Sequence, residues 1–157
     1  MKKGLILFFF AILLNSCAND PLKNWKKVDL TPYEVNAVIL APDSAEVVAD
    51  MGVLKDITII KSPEYNVQLF VTKSDFPDLA ALKKGQLQDV KSNRLYSEIV
   101  EENEDGFIYK NKIDENTINY GFRYLFQKDG EDYVFQQGLS GIFSLEEVEN
   151  MYKSVQQ

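Results

Sequence analysis

The sequence predicts an α+β domain, an antiparallel sheet of about six or seven strands with a middle helix and a C-terminal helix packed on it. Three observations predict it. Ile118, Tyr120, Phe122, Tyr124 and Phe126 recur at every second position of residues 117–128, the period of a half-buried strand. Asp129-Gly130 then joins that segment directly to residues 131–137, the signature of a two-residue hairpin turn. After Ser144 the spacing becomes helical, with Leu145, Val148, Met151, Tyr152 and Val155 on one stripe.

The other elements follow in chain order. Residues 18–27 carry no periodic apolar pattern, and Asn19, Asp20, Pro21 and Asn24 break regular structure. Residues 17–27 therefore read as a tether ahead of a single domain at residues 28–157. Tyr33, Val35, Ala37 and Ile39 alternate with Glu34, Asn36 and Val38, which predicts a strand ending at the Pro42-Asp43 turn. Residues 44–51 read as a short helix or an irregular connection. Residues 53–61 are β-branched and end at Ser62-Pro63, and residues 66–72 form another strand. In it Val67, Leu69 and Val71 share one face, and Gln68, Phe70 and Thr72 the other.

Asp75-Phe76-Pro77 opens the middle helix, since proline is tolerated in a first turn. Leu79, Leu82 and Val90 fall on one face with Leu87 close by, and Gly85 marks a point where the helix can divide in two. Strands follow at residues 94–102 and 107–112, and a turn at Asp114-Glu115-Asn116 leads into the long alternating strand. Gly138 and Gly141 bracket a loop before the last helix. Ser144 and Glu147 there form a capping box, each able to satisfy the other's backbone amide.

Ahead of the domain, Lys2 and Lys3 precede an unbroken apolar run from Leu5 to Leu14, which stops at Asn15, Ser16 and Cys17. A positive flank, roughly ten apolar residues and small residues at the end make a secretory signal. The run is short of the roughly 20 apolar residues that span a bilayer. Leu14-Asn15-Ser16-Cys17 resembles the lipobox of bacterial lipoproteins, with Asn15 a less usual occupant of the middle position. The resemblance implies that residues 1–16 are a signal peptide cleaved before Cys17. It also implies that Cys17 carries a thioether-linked diacylglycerol and usually an acyl group, such as palmitate, on its new amino group. The protein is then expected in the cell envelope, membrane-bound through that lipid. Ala18 stands where an aspartate signals inner-membrane retention in some bacteria, which favours the outer membrane, on its periplasmic or its surface side. Trp25, flanked by Lys23, Lys26 and Lys27, has two readings. The indole rests at the headgroup level with its lysines as a membrane contact, or it packs beneath the domain as a foot.

Composition narrows the function classes. Cys17 is the only cysteine, so the domain folds without disulfides. Lys2 and Lys3 are two of the 17 basic residues, which leaves 15 against 24 acidic ones, a mature side-chain charge of −9. Such a surface repels phosphate backbones and argues against nucleic acid as a partner.

The strands, the middle helix, the meander carrying "EENEDGFIYK" and "INYGFRYLFQKDGEDYVFQQGL", and the helix "FSLEEVENMYKSVQ" resemble the Mog1/PsbP-like α/β/α sandwich over residues 32–155. The resemblance implies a docking or assembly module rather than an enzyme. It rests on element order and transfers no site residue.

Catalytic vocabulary is sparse. The chain has no histidine, which removes Ser-His and Cys-His pairs and histidine metal sites. No glycine-rich phosphate loop follows a strand, and no cofactor is expected. Glu101, Asn103 and Asp105 before Gly106 echo a calcium loop, but Glu occupies position one and Lys112 stands where a bidentate glutamate is required. A β-turn with solvent-facing acids accounts for the segment, so no metal is assigned. Paired carboxylates for glycoside hydrolysis cannot be selected among 24 acids. The ladder Tyr120, Phe122, Tyr124 and Phe126, with Tyr133 and Phe135 across the hairpin, is core under a helix or the lining of a ligand pocket. On the opposite face Arg123, near Asn119, pairs with a neighbouring acid or contacts a partner. The expected function is a membrane-anchored, non-catalytic protein-binding or assembly module of the envelope. A small-molecule or lipid carrier with an apolar cavity is the alternative, and an enzyme of unfamiliar type the third reading.

Overall fold

The computed structural model describes residues 20–52, 54–61 and 63–156. Residues 1–19, on which the signal-peptide, Cys17 and Ala18 readings fall, lie outside the described residues. Among the described residues nine strands and two α-helices follow one another as β1 (Lys26–Asp29), β2 (Val38–Ala41), β3 (Glu46–Met51), β4 (Lys55–Lys61), β5 (Tyr65–Lys73), α1 (Leu79–Ser92), β6 (Tyr96–Glu102), β7 (Gly106–Lys112), β8 (Ile118–Lys128), β9 (Glu131–Gln137) and α2 (Leu145–Val155). Seven strands form one antiparallel sheet in the order β3-β4-β5-β9-β8-β7-β6, and β1 and β2 pair as a small second sheet. The chain is α+β, with a middle and a C-terminal helix on the sheet.

Successive side chains leave a strand on opposite faces, so the large sheet has two apolar faces to cover. On one lie α2 and the β1–β2 sheet, and Ile57, Ile59, Val67, Leu69, Phe122 and Phe135 meet Val148, Met151, Tyr152 and Val155 there with Ile39 and Ala41. On the other lies α1, whose Leu82 meets Leu125 and Val134 while Val90 meets Phe107 and Tyr109. The α2 face holds the larger core.

The alternation of β8 is as expected, with Phe122 buried on the α2 face and Leu125 on the α1 face. Asp129 and Gly130 both take positive φ, 54° and 78°, as a two-residue hairpin turn matching strand twist requires. The capping box at α2 is complete. The Glu147 amide donates to Ser144 Oγ at 3.3 Å, and the Ser144 amide donates to Glu147 Oε2 at 2.7 Å. Ser144→Ala is expected to cost about 1 kcal/mol, read as a lower urea midpoint with an unchanged slope.

Four readings are corrected. The stretch before residue 28 is not irregular. Pro21–Asn24 is a 3₁₀ turn capped by Asp20, and Lys26 and Lys27 already belong to β1, opposite Ala41 and Leu40. The strand foreseen at residues 33–39 is instead a 3₁₀ turn at Thr31–Tyr33, a left-handed Glu34 (φ 57°) and a short loop, and pairing starts at Val38. There Val35 is buried through a turn, its amide donating to the Leu30 carbonyl at 3.3 Å, so its alternation with Tyr33 and Ala37 mimics a strand. Within residues 44–51, which read as a short helix or an irregular connection, Glu46–Met51 form the edge strand β3, held by antiparallel pairing with β4. Finally, Gly85 does not divide α1. The helix starts at Asp78, whose Oδ1 accepts from the Ala81 amide at 2.8 Å, and runs unbroken to Ser92. A Cβ at Gly85 would lie 3.2 Å from the Phe76 ring, so the glycine admits that ring against the helix.

Buried tyrosines, Tyr65, Tyr133 and Tyr152, link the fold to pH. Tyr65 Oη donates to the Leu40 carbonyl at 3.0 Å and sits 3.2 Å from Ser154 Oγ, and burial raises its pKa. Burial also raises Tyr152 and Tyr133, each to about 12. An unfolded tyrosine titrates near ~10. As pH rises past that value the unfolded chain loses these protons first and binds fewer than the native state, so stability falls with pH. Below it both states are protonated and these groups contribute no slope. The melting temperature is expected to be insensitive to these tyrosines up to about pH 10 and to fall beyond it, as thermal melts across the alkaline range would record.

Candidate functional site

The α1 helix covers only part of its face of the sheet, lying over β8 and β6. Beside it a groove of about 420 Å³ opens across β5, β9 and β8, walled by Leu82, Gln86 and Asp89 of α1 and by Phe76 and Leu54. Strand register sets three rows here, of which Gln136 and Arg123, Phe70 and Val134, and Thr72 and Asp132 line the floor. Gln68, Gln136 and Arg123 lie side by side in one row. Phe70, Val134 and Leu125 form the next, and Thr72, Asp132 and Gln127 the third. Cross-strand neighbours are the contact unit of a sheet, so the floor is banded polar, apolar, polar.

The polar rows are wired into the fold. Gln68 Nε2 donates to both carboxylate oxygens of Asp56, at 2.9 and 3.0 Å, and Gln136 Nε2 donates to Gln68 Oε1 at 3.2 Å. In the far row Gln127 Nε2 donates to Asp132 Oδ1 at 2.8 Å and to Ser74 Oγ at 3.0 Å. Asp132 and Gln136 are only 2% and 7% exposed, and such buried polar groups require partners of this kind.

Arg123 is the one sequence candidate that the groove contains. It pairs with no acid within ion-pair distance among the described residues, contrary to the acid-pairing alternative. Its Nε donates to Gln86 Oε1 at 3.2 Å, and its Nη1 to Tyr109 Oη at 3.2 Å and the Phe122 carbonyl at 2.9 Å. The guanidinium carbon lies 5.6 Å from the centre of the Tyr109 ring. These neutral acceptors and the ring fix the cation in place without a carboxylate in ion-pair contact, although Asp89 and Asp132 line the same groove.

The other candidates are separate. Asn119 Oδ1 accepts from the Phe143 amide at 2.8 Å, tying the loop after β9 to the start of β8, outside the groove. Trp25 packs edge-on against Tyr65 with ring centres 5.2 Å apart, at the margin of the α2-face core, which is the foot arrangement. Lys26 and Lys27 beside it are exposed, and Lys26 pairs with Asp43 at 2.9 Å. The acidic turn uses Asn103 as a structural post. Its Oδ1 accepts from Tyr152 Oη at 2.8 Å and the Asp105 amide at 3.2 Å, which joins α2 to the β6–β7 turn.

The aromatic ladder divides. Phe122 and Phe135 are buried in the α2-face core, whereas Tyr124, Phe126 and Phe135 also border a second cavity of about 340 Å³ with Ala37, Ile39, Lys128 and Val155. Phe126 stacks on Tyr133 at 4.3 Å.

Sequence alone does not mark Gln68, Gln86, Asp132 and Gln136 as site residues. Their signal is faint but present, since Gln68 and Thr72 alternate with apolar residues in β5 as Asp132 and Gln136 do in β9. Such a face reads as solvent-exposed until the position of α1 is known.

A sheet with α1 on one face and α2 on the other, and an open groove beside α1, defines an α+β scaffold with one partly uncovered sheet face. No family model, no curated protein and no solved structure matches the chain. Among the described residues no helix is long and apolar enough to cross a membrane.

Proposed function

We propose that this protein is a lipid-anchored envelope lipoprotein, favouring the outer membrane, that acts without catalysis as a protein-binding or assembly module through the groove beside α1. The observation that carries the reading is the banded floor of that groove. Arg123 there has only neutral partners, and glutamines line the floor and wall. Beyond the bonds that fix them, Gln86 keeps its amide donor and Gln136 its carbonyl acceptor, which suits the alternating amides of an extended peptide segment, and the Phe70–Val134 band offers it an apolar seat. A carboxylate on that segment is the natural partner of Arg123. The Mog1/PsbP-like resemblance, whose members mostly dock and assemble, points the same way.

The test is crosslinking in living cells, followed by affinity capture and mass spectrometry, with the wild-type chain and Cys17→Ala side by side. One dominant envelope partner, captured by the anchored form and lost from the unanchored one, is the expected result. No specific partner in either form would count against the module.

The alternative, a small-molecule carrier, draws on the second cavity, whose Tyr124, Phe126 and Phe135 present aromatic surface to a space of about 340 Å³. Native mass spectrometry distinguishes the two readings. A retained small molecule supports the carrier, and an empty chain supports the module.

A further inference from the structure

Strand register places several loops at one end of the large sheet. Lys61 at the end of β4 faces Tyr65 at the start of β5, Gln137 at the end of β9 faces Val67, and Lys112 at the end of β7 faces Ile118 at the start of β8. The loop at residues 138–143 is fastened to this end. The Gly138 amide donates to the Asn66 carbonyl at 2.7 Å, Asn66 Nδ2 donates to the Ser140 carbonyl at 3.3 Å, and the Phe143 amide donates to Asn119 Oδ1 at 2.8 Å. Held in this way, Leu139 is 84% and Ile142 60% exposed. Ile113 and Ile118, at the turn between β7 and β8, are exposed at the same end. An isolated exposed leucine needs no explanation, but a group of aliphatic side chains on a fastened loop and its neighbouring turn marks a contact surface.

The N-terminal segment enters the fold at this end too. Trp25 lies against Tyr65, and Lys26 faces Ala41 at the end of β2. Cys17 precedes Asp20 by three residues, a reach of roughly 10 Å at full extension. A lipid on Cys17 thus holds this end of the domain against the bilayer and leaves the opposite end pointing away. Both ends carry acids on their turns, Glu104, Asp105 and Asp129 at the opposite end and Glu64, Asp114 and Glu115 at this one, so the short tether and the exposed aliphatic side chains, not charge, distinguish the anchored end.

We infer that the loop at residues 138–143 is a membrane-contact element, with Leu139 and Ile142 entering the headgroup–acyl boundary of the bilayer to which Cys17 is anchored. The inference rests on the lipid-anchored reading above. It adds a fixed orientation: two apolar side chains and the lipid touch the membrane together, and the groove beside α1 stands roughly upright from it.

The test uses the full lipidated chain in phosphatidylcholine–phosphatidylglycerol liposomes. Because the lipid occupies the one native cysteine, Leu139→Cys supplies a single free thiol for a polarity-sensitive NBD label, and Val48→Cys on the edge strand β3 supplies the comparison. The expected result is several-fold brighter, blue-shifted emission from the label at position 139, quenched by nitroxide-bearing lipids, with the label at position 48 unaffected. A chain that floats with the liposomes while both labels report water overturns the loop contact and leaves the anchor standing. A chain that does not float with them overturns the anchoring, and the loop contact with it.

Discussion

Phe122→Ala is expected to lower stability by about 3–5 kcal/mol, the range for deleting a large buried aromatic side chain. Phe122 is fully buried at the centre of β8, packed at 5.8 Å against Tyr152 of α2 and paired through the sheet with Ile108. The neighbours are poorly placed to close the space. Gly106 lies so near Tyr152 that even a Cβ would sit 2.8 Å from its hydroxyl, and Tyr152 is also tied to Asn103. A domain of this size holds roughly 5–15 kcal/mol in all, so the variant retains a small margin and equilibrium urea unfolding measures the loss directly. Leu125→Ala, on the opposite face of the same strand, removes a smaller side chain from the smaller α1-face cluster, and its loss is expected near the lower end of the range of about 2–5 kcal/mol. Equal losses at the two positions would contradict the assignment of the main core to the α2 face.

Cys17→Ala is expected to move essentially all of the protein from the membrane fraction to the soluble fraction. Each buried acyl CH₂ contributes about 0.8 kcal/mol, and one chain alone holds only reversibly, so durable attachment comes from the two or three chains implied at this cysteine. Trp25 does not replace them, because its ring is engaged with Tyr65 at the margin of the core. Even the apolar loop at Leu139 and Ile142 offers far less apolar surface than an acyl chain. Cell fractionation of the two forms measures the shift, and a variant still bound to membranes would contradict lipid attachment at Cys17.

What the sequence made legible follows a physical division. The β8–β9 hairpin and α2 were readable because their signals are local, an unbroken period of two, a turn needing positive φ at Asp129 and Gly130, and a capping box within four residues. β1, β2 and β3 are not legible in this way because their stability is not local. Four residues of β1 are a strand only through pairing with β2, and Glu46–Met51 carries two acids in a segment whose conformation is decided by β4. Arg123 was recognisable as a cation on a polar sheet face, but its neutral partners Gln86 and Tyr109 come from α1 and β7. The groove depends on where α1 stops covering the sheet, a matter of layer packing that no spacing of residues encodes.

The most direct measurement is site-specific photocrosslinking in living cells, with a photoreactive amino acid at Gln86 on the groove wall and, separately, at Lys153 on the exposed side of α2 across the sheet. A groove-bound partner gives one strong adduct from the Gln86 position, weakened by Arg123→Ala, and none from Lys153. An adduct from Lys153 without one from Gln86, or no adduct from either, would contradict the groove beside α1 as the partner site.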